Sequence, residues 1–248
     1  MAGASGRYQR NHALQFIESS AFGVRAASYR LKSPSRPVEV LLCPMVHIGT
    51  LSYYESIRSM LAECDEIFLE GVASFRVRVM TSCYRWVARR RHLRLVDQRQ
   101  GLKLHGLPAR RVCSDASGRE FEADWRRIPW RFRAGFMVLA PVLGAWLYLT
   151  ASRRSLGRRL ALDDLESRDE TRSWDVIPGF RRAVVESSDD RLVSAIDHAL
   201  NRANASGALG IVYGAVHMRS VLAQLTKNHG YRIEASEWIT VMDYDVDG

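Results

Sequence analysis

The sequence predicts an α/β protein whose central sheet is mixed and largely parallel and is flanked by helices. Short apolar segments with strand propensity alternate along the 248 residues with segments of helical periodicity, a pattern typical of βαβ units. A weak internal repeat supports this fold class. Two copies of strand, sharp turn, histidine, helix and strand are offset by 170 residues, from His47 to His217, and each predicts one βαβ-type repeat.

The first half of the chain contains the first repeat. A polar lead with one short helix is predicted over 1–20, and apolar runs predict strands over 24–31, 37–43 and 66–69. Leu51, Tyr54, Ile57 and Leu61 recur at helical spacing, which predicts a helix over 50–64. A long Arg-rich helical stretch follows over 75–101, and then a strand over 109–113.

The second half contains the second repeat. A charged loop or helix is predicted over 163–172, and an amphipathic helix over 189–202. The run ALGIVY predicts a buried strand over 208–213. A helix over 219–228 and two strands over 231–235 and 238–244 complete the chain. We interpret 1–248 as a single α/β domain that carries a helical insertion over 76–180.

Three polar residues follow predicted strands at corresponding places. His47 comes after the strand of the first repeat, His217 after that of the second, and Glu70 directly after IFL, with Gly71 behind it. Side chains just past the carboxyl ends of parallel strands line the crevice where such sheets bind ligands. We therefore expect His47, Glu70 and His217 to converge there.

This set of side chains suits a divalent metal of the zinc, manganese or cobalt type. Neutral imidazoles and a carboxylate are common ligands of such ions and leave positions open for water. A metal lowers the pKa of bound water, so His47, Glu70 and His217 are candidate catalytic as well as metal-ligating residues. The alternative is that both histidines are hydrogen-bonded structural residues.

The predicted insertion is strongly basic and contains an uncharged run. Residues 76–159 hold 20 Lys and Arg against 5 Asp and Glu, whereas the whole chain has a net charge of +9. Arginines border the run 134–151, and Trp130 and Trp146 lie near or in it, a pattern that suits an anionic membrane surface. A buried helical hairpin or a lid is the alternative. Nucleic acid is not an expected partner, because only charge supports it and no recognition motif accompanies the arginines.

The run 134–151 is not expected to cross a membrane once, because it separates His47 and Glu70 from His217. It would dip in and return at Pro141–Gly144, lie along the surface, or pack on the domain. No secretory signal is recognised at the N-terminus, so we expect a cytoplasmic protein with peripheral or monotopic membrane association. Cys43, Cys64, Cys83 and Cys113 show no spacing that suits zinc.

Four segments together resemble a known family. PMVHIGTLSYY (44–54), EIFLEGV (66–72), YGAVHMRSVLAQL (213–225) and, weakly, SDASGREF (114–121) are similar to motifs of the TraB/PrgY pheromone-shutdown group, with its Tiki and GumN relatives. These belong with the erythromycin-esterase and ChaN-like proteins. The second GxxH motif is intact at Gly214–His217. Pro44 replaces the glycine of the first, and Asp189 stands where many members carry Arg, with Arg191 two residues later.

The resemblance implies a two-repeat α/β fold and, through the Tiki relatives, a metal-dependent peptidase. Its ligands would be His47, Glu70 and His217, with motif support from Gly49, Gly71, Gly214 and Arg191. The function expected is thus a membrane-associated metal-dependent hydrolase acting on a peptide or ester bond. The alternative is a non-catalytic protein of the same fold that binds or sequesters a peptide or other small ligand.

Overall fold

The computed structural model describes residues 14–71, 74–114, 117–164, 180, 182–202 and 207–244. It shows the expected class, a mixed α/β fold with helices around a largely parallel central sheet. The strands are β1 (Ile17–Ser19), β2 (Gly23–Ser33), β3 (Arg36–Met45), β4 (Ile48–Gly49), β5 (Glu66–Leu69), β6 (Val96–Asp97), β7 (Arg110–Cys113), β8 (Ala208–Gly214) and β9 (Arg232–Asp243). The helices are α1 (Leu51–Leu61), α2 (Phe75–Met80), α3 (Ser82–Ala88), α4 (Gln98–Gly101), α5 (Gly118–Arg127), α6 (Trp130–Thr150), α7 (Arg153–Asp164), α8 (Ser187–Leu200) and α9 (Ala215–His229).

The parallel half of the main sheet has the order β3–β8–β5–β7. β2 pairs antiparallel with β3, and β9 pairs antiparallel with β2 along most of its length, so β9 runs parallel to β3. β1 pairs with the start of β2, and the short strands β4 and β6 form a separate two-stranded sheet.

Both repeats are βαβ units that join parallel strands, β3–α1–β5 and β8–α9–β9. They interleave, because β8 of the second repeat lies between β3 and β5 of the first. The register aligns Met45 with Gly214 and Leu69 with Val212. The carboxyl ends of these three strands therefore meet at one edge of the sheet, where the first residues of the following segments form the candidate site.

α1 holds the start of this edge in place. Thr50 caps the helix by accepting a hydrogen bond from the Tyr53 N–H. Tyr53 and Tyr54 are fully buried, and their hydroxyls donate to the carbonyls of Pro44 and Val46, at 2.8 and 3.0 Å. Burial raises the pKa of both phenols well above the usual range, so they stay protonated donors.

The stretch 75–101 is not one helix. α2 and α3 are separated at Thr81, a 3₁₀ turn spans Arg91–Leu93, and α4 begins after Asp97, whose carboxylate accepts from the Arg99 and Gln100 N–H groups. These breaks turn the chain back towards the sheet edge. β7, which also lies within 76–180, joins the main sheet beside β5.

Further differences concern the ends of the chain and the uncharged run. Ile17–Ser19 form a strand within the predicted lead, while the rest of that lead, 1–13, and the segment 165–172 lie outside the described residues. The two predicted C-terminal strands are one strand, β9, with two register irregularities against β2. Pro141 does not break α6, which is continuous over Trp130–Thr150 although an internal proline removes one helical hydrogen bond. No turn back at Pro141–Gly144 therefore forms.

Candidate functional site

The structure places the three predicted site residues at the carboxyl edge of the parallel strands. His47 follows β3, Glu70 follows β5, and His217 lies in the first turn of α9, which starts directly after β8. Glu70 approaches His217, with 3.8 Å between Glu70 Oε1 and His217 Nε2. Glu70 also lines a pocket with His47. Glu70 thus lies near His217 and lines the same pocket as His47, whereas His217 does not line that pocket.

His217 is held by a carboxylate from a neighbouring helix. Its Nδ1 lies 2.6 Å from Asp189 Oδ1, and Asp189 Oδ2 accepts a hydrogen bond of 2.5 Å from the Ser220 hydroxyl. His217 is 4% exposed, and the ring of Tyr213 meets it edge-on. A carboxylate accepts a hydrogen bond from a protonated ring nitrogen, so Asp189 favours a proton on Nδ1 and leaves Nε2 on the side of Glu70.

The Glu70 side chain is oriented by the start of α9. Its Oε2 accepts a hydrogen bond of 2.6 Å from the Gly214 N–H, and its own N–H donates to the Val212 carbonyl. A negative charge is favourable at a helix N-terminus because the first N–H groups have no partner within the helix. A Cβ on Gly214 would lie 3.3 Å from Glu70 Oε2, so glycine leaves room for this contact. One carboxylate oxygen is thereby held, and the other faces His217.

His47 borders a pocket of about 150 Å³. Its ring lies against that of Tyr84, with centroids 4.8 Å apart, and its carbonyl accepts from the Gln98 N–H. Arg85 and Arg99 line the same pocket. The pocket therefore combines two carboxylates, those of Glu70 and Asp97, with one imidazole and two guanidinium groups in a volume suited to a small group of a ligand.

The donor set fits a divalent cation in part. Two donors that are each ~2.1 Å from one ion can lie up to ~4.2 Å apart, and the 3.8 Å between Glu70 and His217 is within that span. A histidine that ligates a metal characteristically donates its second ring N–H to a carboxylate, as His217 does to Asp189. Within the described ranges, no group of three His, Cys, Asp or Glu residues is arranged to hold a metal ion.

The four motif-support residues have different surroundings. Gly214 contacts Glu70, Gly49 lies in β4 opposite Val96, and Gly71 is exposed. Arg191 pairs with Glu120 at 2.7 Å. Hydrogen bonds from Ser117 and then from Arg191 lower the pKa of the Glu120 carboxyl. Arg191 thus acts at the contact between α8 and α5.

Sequence reasoning missed the role of Asp189. It noted this residue only as a departure from a motif, because an aspartate in the first turn of a helix is common for reasons of capping and charge. One signal was available in the sequence. Asp189 lies two residues before Arg191, so the two side chains are on different faces of α8 and Asp189 must have a different partner from Arg191. Asp97, Tyr84, Arg85 and Arg99 were also missed, since the fold of 75–101 brings them to the pocket.

Comparison with known proteins adds no relative. No family model, curated protein or solved structure matches this chain.

Proposed function

We propose that the protein is a metal-dependent hydrolase of a peptide or ester bond and a distant relative of the TraB group. The observation that carries the proposal is the linked set Asp189–His217–Glu70 at the carboxyl edge of the parallel strands. His217 Nε2 and Glu70 Oε1 would hold a divalent cation of the zinc, manganese or cobalt type. When bound, such a cation acidifies water and polarises a carbonyl group.

The chain's own residues account for the remaining requirements. Glu70 would be either a ligand of the cation or the base that accepts a proton from water, since the Gly214 N–H holds its Oε2 and leaves Oε1 for one of these roles. Asp189 keeps His217 in one tautomer and orientation. His47 faces the pocket as the third ligand or as a contact of the substrate. Arg85 and Arg99 favour a substrate with a carboxylate close to the bond that is cleaved.

The chain offers a matched control for His217. His229 at the far end of α9 has the same kind of partner, because its Nε2 lies 2.6 Å from Asp197 Oδ1 of α8. Both pairs join the same two helices, and both histidines are largely buried. Only the pair of His217 and Asp189 contacts Glu70.

The test is elemental analysis of the purified full chain, followed by calorimetric titration with Zn²⁺ and Mn²⁺. We expect one equivalent of metal in the wild type and in His229→Ala, and none in His217→Ala. Asp189→Asn should weaken metal affinity by roughly 10- to 100-fold, whereas Asp197→Asn should not change it. Equal losses in the two histidine variants, or no binding by the wild type, would refute the metal site.

Glu70→Gln separates binding from turnover. With a library of short peptides and aryl esters as probes, we expect this variant to keep part of its metal affinity and to lose hydrolysis. If the wild-type protein binds metal but hydrolyses none of the probes, the proposed hydrolase activity is contradicted.

That last outcome would favour the second candidate function, a protein that binds a small anionic ligand without reaction. Arg85, Arg99 and His47 around one small pocket are the observation that favours it. Ligand binding that is lost in Arg99→Gln, with no cleavage of the ligand, would establish this alternative.

A further inference from the structure

We propose that the outer face of α6 docks on the surface of an anionic lipid bilayer as an interfacial helix. We define the outer face by six exposed apolar side chains, Val138, Leu139, Val142, Leu143, Trp146 and Leu149. Leu149 is 72% exposed, and Val138 and Leu139 are 64% and 63% exposed. In the part of the chain that is described, α6 is the helix that is long and apolar enough to cross a membrane by length and composition. This inference is independent of the proposed hydrolase.

The opposite face of α6 is already used for packing. Gly144 and Leu147 are buried, and a Cβ on Gly144 would lie 3.0 Å from the Trp86 ring and 3.2 Å from Cys83 Cα of α3. A surface helix of a soluble protein normally turns a polar stripe to water once its apolar stripe is packed. α6 has apolar side chains on both faces, so a binding partner is required to shield its outer face from water.

Arginines flank the outer face at both ends. Six of them are exposed in the adjoining segments, namely Arg126, Arg127, Arg131, Arg154, Arg158 and Arg159. The guanidinium of Arg159 lies over the ring of Trp146, 5.4 Å from its centroid. Trp130 and Tyr148 are also exposed. Aromatic and basic side chains at the edges of an apolar patch match the headgroup region of a bilayer.

Charge distinguishes a bilayer from the other occupants. A second copy of the chain on this face would bring the arginine-rich flanks of the two copies together, which is repulsive. A nucleic acid offers the opposite charge and leaves Leu139 and Val142 in water. An anionic bilayer provides negative headgroups for the arginines and an apolar layer for the outer face, so it satisfies both observations.

The ends of α6 limit how it lies. Before it, Trp125 and Ile128 are buried in a small apolar cluster with Phe121. After it, Arg153 is 2% exposed and donates to the carbonyls of Leu93 and Asp243. Both ends thus return to the same folded body, and α6 lies along the membrane surface.

The test is cosedimentation of the full chain with vesicles of phosphatidylcholine alone and of phosphatidylcholine with phosphatidylglycerol in equal parts. We expect strong binding to the anionic vesicles and weak binding to the neutral ones. The double variant Leu139→Glu with Val142→Glu should bind at least about tenfold more weakly. Arg131→Gln and Arg158→Gln should each reduce binding by about fivefold at low salt.

Ile233→Glu is the control, because Ile233 is an exposed apolar residue of β9 paired with Leu31, at the opposite edge of the sheet from the site. It should bind vesicles as the wild type does, and circular dichroism should show all variants folded. Wild-type binding that is undetectable, or equal for the outer-face and control variants, overturns the proposal. So does a lipid-free dimer that the outer-face variant abolishes, or a nucleic-acid complex that competes with the anionic vesicles.

Discussion

Burial separates the four cysteines into unreactive thiols and one accessible thiol. Cys43 and Cys64 are in the core, and burial raises their pKa to about 12 and about 11. Burial also raises the pKa of Cys83, whereas Cys113, the last residue of β7, is exposed. The thiolate is the reactive form, so neither Cys43 nor Cys64 has an appreciable reactive fraction near neutral pH.

We therefore predict that iodoacetamide at pH 8 modifies one residue of the native protein rapidly, Cys113. Cys43 and Cys64 should react only after unfolding or as the pH approaches their raised pKa. Peptide mass spectrometry over a time course measures this. Modification of Cys43 at the rate of Cys113 would show that the core opens readily.

At the residue scale, the sequence predicted where the site residues lie in the sheet better than it predicted which side chains they contact. His47, Glu70 and His217 were expected at the carboxyl edge because each follows a strand of recognisable pattern. The contact between Asp189 and His217 joins two helices and depends on their relative rotation, which apolar periodicity does not define closely. The turn of Asp97 and the 3₁₀ segment likewise bring Arg99 to the pocket by local geometry with no periodic signal.

At the element scale, α3 connects the candidate site with α6. Tyr84 on one side lies against His47, and Cys83 and Trp86 on the other meet Gly144 of α6. The helix itself was only partly predicted. Its apolar run was visible, but Pro141 and Gly144 suggested an interruption, whereas the structure uses Gly144 for close packing and tolerates Pro141 in a continuous helix.

Two glycines of α6 should respond to substitution in opposite directions. Gly144→Leu should destabilise the protein by about 1–3 kcal/mol, because a larger side chain must separate α6 from α3. Gly135 has nothing within 4 Å of its Cβ position, so Gly135→Ala should raise the free energy of unfolding by up to about 1 kcal/mol through helix propensity. Urea unfolding measures both. Destabilisation by Gly135→Ala, or none by Gly144→Leu, would contradict this packing.

At the scale of the whole molecule, both ends of α6 pack against the same folded protein. We therefore predict that the segments before and after α6 lie on the same side of a membrane. In a Cys113→Ser background, single cysteines at Arg126→Cys and Arg158→Cys would flank the helix. With protein added to sealed anionic vesicles, a membrane-impermeant maleimide should label both positions to the same extent. Protection of one position until the vesicles are lysed would mean that α6 spans the bilayer.

The interleaving of the two repeats also determines when the sheet is completed during synthesis. β8 is made after most of the chain, yet it lies between β3 and β5, which are made early. Until residues 208–214 leave the ribosome, β3 and β5 each present an open edge, and the Gly214 N–H that orients Glu70 is missing. Pairings over such sequence separations fold slowly, so the nascent chain stays open to aggregation for longer than its size suggests. A truncated product that ends before β8 would contain His47 and Glu70, but it would lack the strand that joins β3 to β5 and holds these two residues near each other.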